Sequence, residues 1–197
     1  MYYKRKGMND TTDEQVARDV QAGEAEAFGV LIERYEAKLK RYARKFLTYQ
    51  EDIEDLVQDV FIKAYTNIQS FDPAQRFSPW IYRIAHNTFV NELKRKQRGG
   101  FALFDADTIL PQLPAKETAD SSTLTAELQN ELDSLLHELP AKYREVLVLY
   151  YIEELSYQEM SDIMQIPLST VGARVSRGRA KLRACFEQRE AAKATNI

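Results

Sequence analysis

A chain of 197 residues with 44% hydrophobic and 29% charged side chains has the composition of a globular protein, with room for one large domain or two small ones. The net charge of −3 excludes a wholly basic nucleic-acid coat, so the distribution of charge matters more than its total. No apolar run approaches the ~20 residues that span a bilayer, and no membrane insertion is expected.

Met1 to Gly7 is basic but lacks the apolar centre of a secretory signal; it reads as a leader ahead of a start at Met8 or as an added remnant. Thr12 and Gln15 stand at capping-box spacing and predict a short helix with Val16 and Val20 inward, broken by Gly23. Phe28, Leu31, Ile32, Tyr35, Leu39, Tyr42 and Phe46 then recur at helical spacing. A third helix is expected to carry Ile53, Leu56, Val57, Val60, Phe61, Tyr65 and Ile68 on one face, and Phe71-Asp72-Pro73 signals a loop. Ser78-Pro79 reads as an N-cap followed by proline at the first helical position. That helix is expected to bury Ile81, Ile84 and Ala85 and to stop at Gly99-Gly100. These helices can enclose one core, a domain of residues 12–98.

Residues 99–122 lack periodicity, contain Pro111 and Pro114, and read as a linker. Phe101, Leu103, Phe104, Ile109 and Leu110 make it more apolar than a free spacer needs, so it is expected to dock on this chain or on a partner. A second domain, residues 123–187, opens with Leu124, Leu128, Leu132, Leu135 and Leu136 on one helix face, stopped at Leu139-Pro140. The next helix starts at Pro140 and holds Val146, Leu147, Leu149, Tyr150 and Ile152. Two more short helices are expected, with a polar tail fraying after Glu187. No sustained alternation marks a strand. The expected fold class is all-α: two small helical domains joined by a flexible linker, the second containing a helix-turn-helix.

That motif lies between Ser156 and Arg183. Ser156 and Glu159 form a capping box and open a helix with Tyr157, Met160 and Ile163 inward. Gln165-Ile166-Pro167 cannot continue it, because proline lacks the backbone donor and restricts the residue before it. Ser169 is then placed to cap a second helix, which completes the helix-turn-helix arrangement. In cross-section this second helix has a stripe of Leu168, Val171, Val175 and Leu182, expected to be buried. The opposite face carries Ser169, Ala173, Ser176 and Ala180, flanked by Arg174, Arg177 and Lys181 on one side and Arg179 and Arg183 on the other. Small central residues let a helix approach base edges, while lateral cations reach the phosphates on both sides of the groove.

A second basic cluster is Lys94, Arg95, Lys96 and Arg98, and the stretch between the two clusters is rich in Asp and Glu. Two cationic segments separated by an acidic one point to two DNA-touching elements, the alternative being two solvated helix ends. One cysteine, Cys185, permits no internal disulfide and fits a reducing, cytoplasmic setting. With only two distant histidines, His86 and His137, no metal site and no cofactor are expected. No nucleophile or carboxylate set stands out, so no catalytic residue and no enzyme activity are expected.

Four segments in order resemble the extracytoplasmic-function (ECF) sigma factors, small members of the bacterial housekeeping-sigma family. Glu26-Ala27-Phe28 with Leu31, Ile32 and Tyr35 resembles the family's first helix; Asp55 to Tyr65 resembles the helix that grips the polymerase clamp. Phe77 to Asn87 resembles the segment that opens the promoter and reads its minus-ten element. Leu139-Pro140, Leu155 to Glu159 and Ser169-Thr170-Val171 resemble the minus-thirty-five reader.

The resemblance implies a factor that binds core RNA polymerase and promoter DNA, directs initiation in a stress or envelope response, performs no chemistry, and is held inactive by an anti-sigma factor. It implies polymerase contact by Asp55, Gln58 and Asp59. It implies DNA contact by Trp80, Arg83, Asn87 and Lys94, and by Ser169, Thr170, Arg174, Arg177, Arg179 and Lys181. The loop Phe71 to Phe77 resembles the element that captures a flipped minus-ten base, and residues 99–122 the linker that threads into the polymerase. For Trp80, partial core packing stands beside contact with unstacked DNA. Gly172 and Ala173 depart from the family, where a basic residue and a serine are more usual; fewer direct hydrogen bonds to bases, and more reading of DNA shape, are expected. A stand-alone helix-turn-helix regulator is the alternative; it leaves the clamp-like helix and the Trp80 segment without a purpose.

Overall fold

The computed structural model describes residues 11–44, 47, 49–98, 131–132, 134–136 and 138–195. The expectations for Met1 to Gly7, Phe46, the stop at Gly99-Gly100, the linker, Leu124, Leu128 and His137 lie outside these residues, as do the side chains of Lys96 and Arg98. All regular elements among the described residues are helical, and the chain divides into two compact units, Met1–Gly100 and Phe101–Ile197.

Helix α1 (Asp13–Gln21) starts at Thr12, whose hydroxyl accepts from the Gln15 amide at 3.2 Å. Only half of the capping box forms. The Gln15 side chain runs along the helix instead, donating to Asp19 at 2.8 Å and accepting from Arg18 at 3.2 Å. Gly23 sits at φ +107°, a conformation open to glycine and costly for other residues, and turns the chain through a 3-10 segment at Ala25–Ala27. Helices α2 (Phe28–Ala43), α3 (Gln50–Thr66) and α4 (Phe77–Arg98) follow, with a second 3-10 turn at Ile68–Ser70 before the loop into α4.

The core of the first unit is largely aromatic. Tyr35 and Phe77, Phe71 and Phe77, and Tyr42 and Tyr82 meet edge to face at 5.3–5.5 Å between ring centroids. Such pairs contribute about 0.5–1.5 kcal/mol each beyond the area they bury. The Tyr42 hydroxyl is satisfied by His86 Nδ1 at 3.1 Å. Helix α4 begins at Phe77, one residue before the expected N-cap Ser78, and its first amide is bound from outside: Phe77 N–H donates to Glu14 of α1 at 2.9 Å. The buried face of α4 is Phe77, Ile81, Tyr82, Ala85 and Phe89; Ile84, expected inside, is half-buried.

In the second unit, helical residues at 131–132, 134–136 and 138 precede α5 (Ala141–Tyr151), α6 (Tyr157–Met164) and α7 (Leu168–Thr195). Leu136, Leu139, Leu147 and Val148 pack together with Ile152, Leu182 and Cys185 against them. Buried Arg144 donates to the carbonyls of Leu136 (2.8 Å) and Leu139 (3.0 Å), supplying donors that the end of a helix lacks.

Two expectations are corrected here. The final helix is long, running past Glu187 to Thr195, because nothing in it breaks a helix and its end is tied down. Arg189 pairs with Glu138 and donates to Ser134 at 2.7 Å, and Lys193 pairs with Glu131 at 2.8 Å. The buried stripe of α7 is Val171, Val175 and Gly178, with Leu182 and Cys185 partly buried. Leu168, in the first turn, is 47% exposed. Gly178 is there for space: a Cβ on it would lie 3.2 Å from Leu147 Cγ.

Candidate polymerase and nucleic-acid interfaces

Asp55, Gln58 and Asp59 are exposed, on the side of α3 away from the buried Leu56, Val57, Val60 and Phe61. They form one wall of an open groove between α3 and α4, about 540 Å³ in volume, that also takes in Asp52, Ile62 and Lys63. The opposite wall, not foreseen from the sequence, is Thr88, Asn91, Glu92 and Arg95 of α4. Lys63 donates to Thr88 at 3.1 Å across the groove. Glu92, nearly buried, grips Arg95 with both oxygens at 2.7 and 2.8 Å. That hydrogen bond, with Asp52 and Asp59 further off, pushes Arg95 above the ordinary arginine value. Arg95 therefore belongs to the groove, and the free basic cluster expected around it is smaller by one cation. The i,i+3 spacing of Glu92 and Arg95 was the readable signal.

At ~100° per residue, Trp80, Arg83, Asn87 and Lys94 fall within about 60° of α4. Arg83, Asn87 and Lys94 are exposed, and Trp80 is half-buried. The indole rests against Phe71 and Phe77, with centroids at 5.3 and 5.4 Å, and keeps part of its surface open beside the loop Phe71–Phe77. Within that loop Asp72 accepts from the Ala74 amide through its carboxylate (3.0 Å) and from the Gln75 amide through its carbonyl (2.9 Å). The arrangement offers an aromatic surface next to cations, the combination that holds unpaired nucleic acid.

The helix-turn-helix is built by α6 and α7. Ser156 and Glu159 complete both halves of the capping box, the carboxylate accepting from the Ser156 amide at 2.6 Å and the hydroxyl from the Glu159 amide at 3.2 Å. Gln165 takes the left-handed conformation at φ 55°, and the Ser161 hydroxyl donates to the Ile166 carbonyl at 2.6 Å, closing the turn. Ser169 is not the cap of α7 but its second residue; the Pro167 carbonyl accepts from the Thr170 and Val171 amides instead. Freed of that role, Ser169 is exposed with Ala173, Ser176 and Ala180. Arg177, Arg179 and Lys181 are exposed, and Thr170 and Arg174 are half-buried. Lys181 also lies over the Tyr143 ring of α5, 5.8 Å from its centre. A Cβ at Gly172 would meet the Tyr157 ring at 3.6 Å, an ordinary contact, so the glycine is not demanded by packing. Among the described residues, no group of three or more His, Cys, Asp or Glu is gathered to hold a metal ion, and no helix is long and apolar enough to cross a membrane.

Two all-α units, one ending in a helix-turn-helix whose second helix shows a small-residue face edged by cations, define a DNA-binding protein of that class. Comparison narrows it. Residues 31–99 match Sigma-70 region 2, and residues 129–182 match Sigma-70, region 4. The ECF RNA polymerase sigma factor SigW of Bacillus subtilis (strain 168) is 34% identical over 180 residues, covering 84% of this chain and 92% of its own length. The ECF RNA polymerase sigma-E factor of Haemophilus influenzae is 33% identical over 174 residues, covering 85% and 92%. Among solved structures, the sigma factor RpoE in complex with the anti-sigma factor NepR from Bartonella quintana superposes with a TM-score of 0.64 at 26% identity, over 81% of this chain and 96% of that one. CnrH in complex with the cytosolic domain of CnrY gives 0.62 at 28%, over 90% and 99%. The chain belongs to the ECF RNA polymerase sigma factors. Its function is promoter recognition for RNA polymerase, and the stand-alone regulator is not favoured.

Proposed function

We propose that the chain divides this function between its units as follows. Residues 12–98 bind core polymerase through the groove edge of Asp55, Gln58 and Asp59, and engage the separated minus-ten strand through Trp80, Arg83, Asn87 and Lys94 with the Phe71–Phe77 loop. Residues 99–122 link the units. Residues 123–187 bind the minus-thirty-five duplex through the major groove, with Ser169, Thr170, Arg174, Arg177, Arg179 and Lys181 on α7 in contact. The factor acts in the cytoplasm and performs no catalysis of its own. An anti-sigma protein is its regulatory partner, a reading supported by the structure of RpoE in complex with the anti-sigma factor NepR. The observation that carries this reading is a difference in surface chemistry. The α4 face joins a half-open indole to cations, as an unpaired strand requires, while the α7 face joins small residues to cations, as a duplex groove requires.

Runoff transcription with purified core polymerase and a promoter library tests it. Wild-type chain should give initiation at sequences sharing an upstream and a downstream element. Trp80→Ala should select templates that melt easily, and Arg177→Ala should weaken use of all upstream elements alike. Equal transcription with and without the chain, or tight specific duplex binding that polymerase does not alter, would overturn the reading. Gly172 and Ala173 sharpen the upstream half: single-base substitutions opposite Ala173 should each change binding less than changes in minor-groove width nearby.

A further inference from the structure

Helix α1 is not part of either DNA-facing surface, yet two of its side chains reach the loop between Phe71 and Phe77. Glu14 and Gln21 are seven residues apart and so share one face of the helix. Gln21 Nε2 donates to the carbonyls of Ile68 at 2.7 Å and Phe71 at 2.8 Å, where the loop begins. Gln69 returns a bond to the Gln21 carbonyl at 3.1 Å. Glu14 Oε1 accepts from the Phe77 amide at 2.9 Å, where the loop ends. Both α1 side chains are half-buried, and Ala17 between them is fully buried. Phe71 and Phe77, the two residues held, are also the two whose rings flank Trp80.

We propose that Glu14 and Gln21 are positioning residues for strand capture: α1 fixes both ends of the Phe71–Phe77 loop so that it receives an unpaired base already shaped. The inference rests on the reading of that loop as a single-strand contact. A loop with free ends has to be ordered by the DNA, and each residue fixed at that moment lowers affinity. Anchored at both ends and turned internally at Asp72, the loop has given up that freedom on folding. Neither α1 side chain has to touch DNA for this to operate.

The test uses the full chain bound to core polymerase. A fluorescein-labelled single strand is first recovered by the wild-type holoenzyme from a pool randomised over about six positions, a span matched to the handful of nucleotides one such site holds. It is then titrated against Gln21→Met, Glu14→Ala and Glu14→Gln. Gln21→Met and Glu14→Ala should each weaken binding about tenfold, the scale of a lost hydrogen bond in a partly buried setting. Glu14→Gln keeps an acceptor oxygen and should stay within about twofold. In the free chain, Trp80, the only tryptophan, should emit further to the red and be quenched more readily by acrylamide in the first two variants and not in the third. Core-polymerase affinity should be unchanged in all three. Single-strand binding as tight as wild type in Gln21→Met and Glu14→Ala overturns the inference and leaves the loop's role standing. A parallel loss of polymerase affinity overturns it too, since that marks general unfolding. If the wild-type holoenzyme enriches no strand, the reading of the loop fails and the inference with it.

Discussion

The two units solve the same stability problem with different materials. The first closes on rings, and polar side chains tie it together over long stretches of chain: Tyr42 to His86 across 44 residues, Gln21 to Phe71 across 50, Glu14 to Phe77 across 63. The second closes on aliphatic side chains, Leu136, Leu139, Leu147 and Val148, with one buried guanidinium, Arg144, holding two carbonyls. The surfaces proposed to meet DNA differ in the same sense, an indole with cations on α4 against small residues with cations on α7. A core of rings that ends at a half-exposed Trp80 continues into its surface, and a surface of that kind stacks on bases. A helix presented to an intact duplex needs closeness and charge, and a compact aliphatic core supplies the support.

Removing a central group from each core should separate the units. Phe77→Ala deletes a fully buried ring that touches Tyr35, Phe71 and Trp80, and should destabilise the first unit by about 3–5 kcal/mol. Arg144→Met keeps bulk but removes the guanidinium donors from the Leu136 and Leu139 carbonyls, leaving Leu136 with the Leu139 amide at 3.2 Å, and should cost the second unit about 1–3 kcal/mol. Amide hydrogen exchange followed by mass spectrometry on both variants is the measurement. Protection should fall in α1–α4 for the first and in α5–α7 for the second. An equal fall in both units for either variant would break the comparison.

Binding should divide along the same line. Trp80→Ala should weaken single-strand binding by the holoenzyme by about 1–3 kcal/mol, the range for loss of one stacking aromatic, with the salt dependence unchanged. Arg177→Ala should lower the slope of log affinity against log salt for duplex binding by about one unit, with little change in sequence preference. Titrations of both variants at several salt concentrations check this. A slope that moves with Trp80 and stays with Arg177 would reverse the assignment of the two surfaces.

Much of the fold was legible because helical periodicity marks buried faces directly. The failures come from partners that a spacing pattern does not name, one of them local and the rest distant in sequence. Local spacing predicted both capping boxes, but Asp19 takes the Gln15 side chain, so only the Ser156–Glu159 box closes. The start of α4 was misplaced because Glu14, 63 residues earlier, binds the Phe77 amide. The end of α7 read as a polar tail because Ser134, Glu138 and Glu131, which hold it, lie 51–62 residues away. Gly178 was passed over because a pattern of apolar side chains does not register a residue buried for its lack of one. The candidate site divides similarly. Asp55, Gln58 and Asp59 could be placed on the exposed side of α3 as the complement of an apolar stripe. The facing wall of Thr88, Glu92 and Arg95 exists only once α4 packs against α3.

The smallest expected effect lies at the end of α7, where the second unit relies on a long-range ionic tie of its own. Lys193 pairs with Glu131 at 2.8 Å and with Glu190 at 2.9 Å. The hydrogen bond from Lys193 lowers the Glu131 pKa, and the same bond, followed by the one Lys193 donates to Glu190, raises the Lys193 pKa. The signs set two limits. A lowered carboxylate contributes stability present above its unfolded value, near pH ~4.3, and lost as pH falls through the folded value. A raised ammonium contributes stability present below its unfolded value, near pH ~10.4, and lost as pH rises through the folded value. The last turn of α7 should therefore be held across the interval between and loosen at both ends, by little, because all three groups are open to solvent and screened by it. Backbone chemical shifts of residues 188–194 across an acid titration measure this. Glu131→Gln should reduce the change on both sides, leaving on the alkaline side the smaller part that Glu190 supplies. Shifts that move with acid equally in wild type and Glu131→Gln would assign the loosening to the Arg189–Glu138 pair one turn earlier, and the tie at Glu131 would carry no share of it.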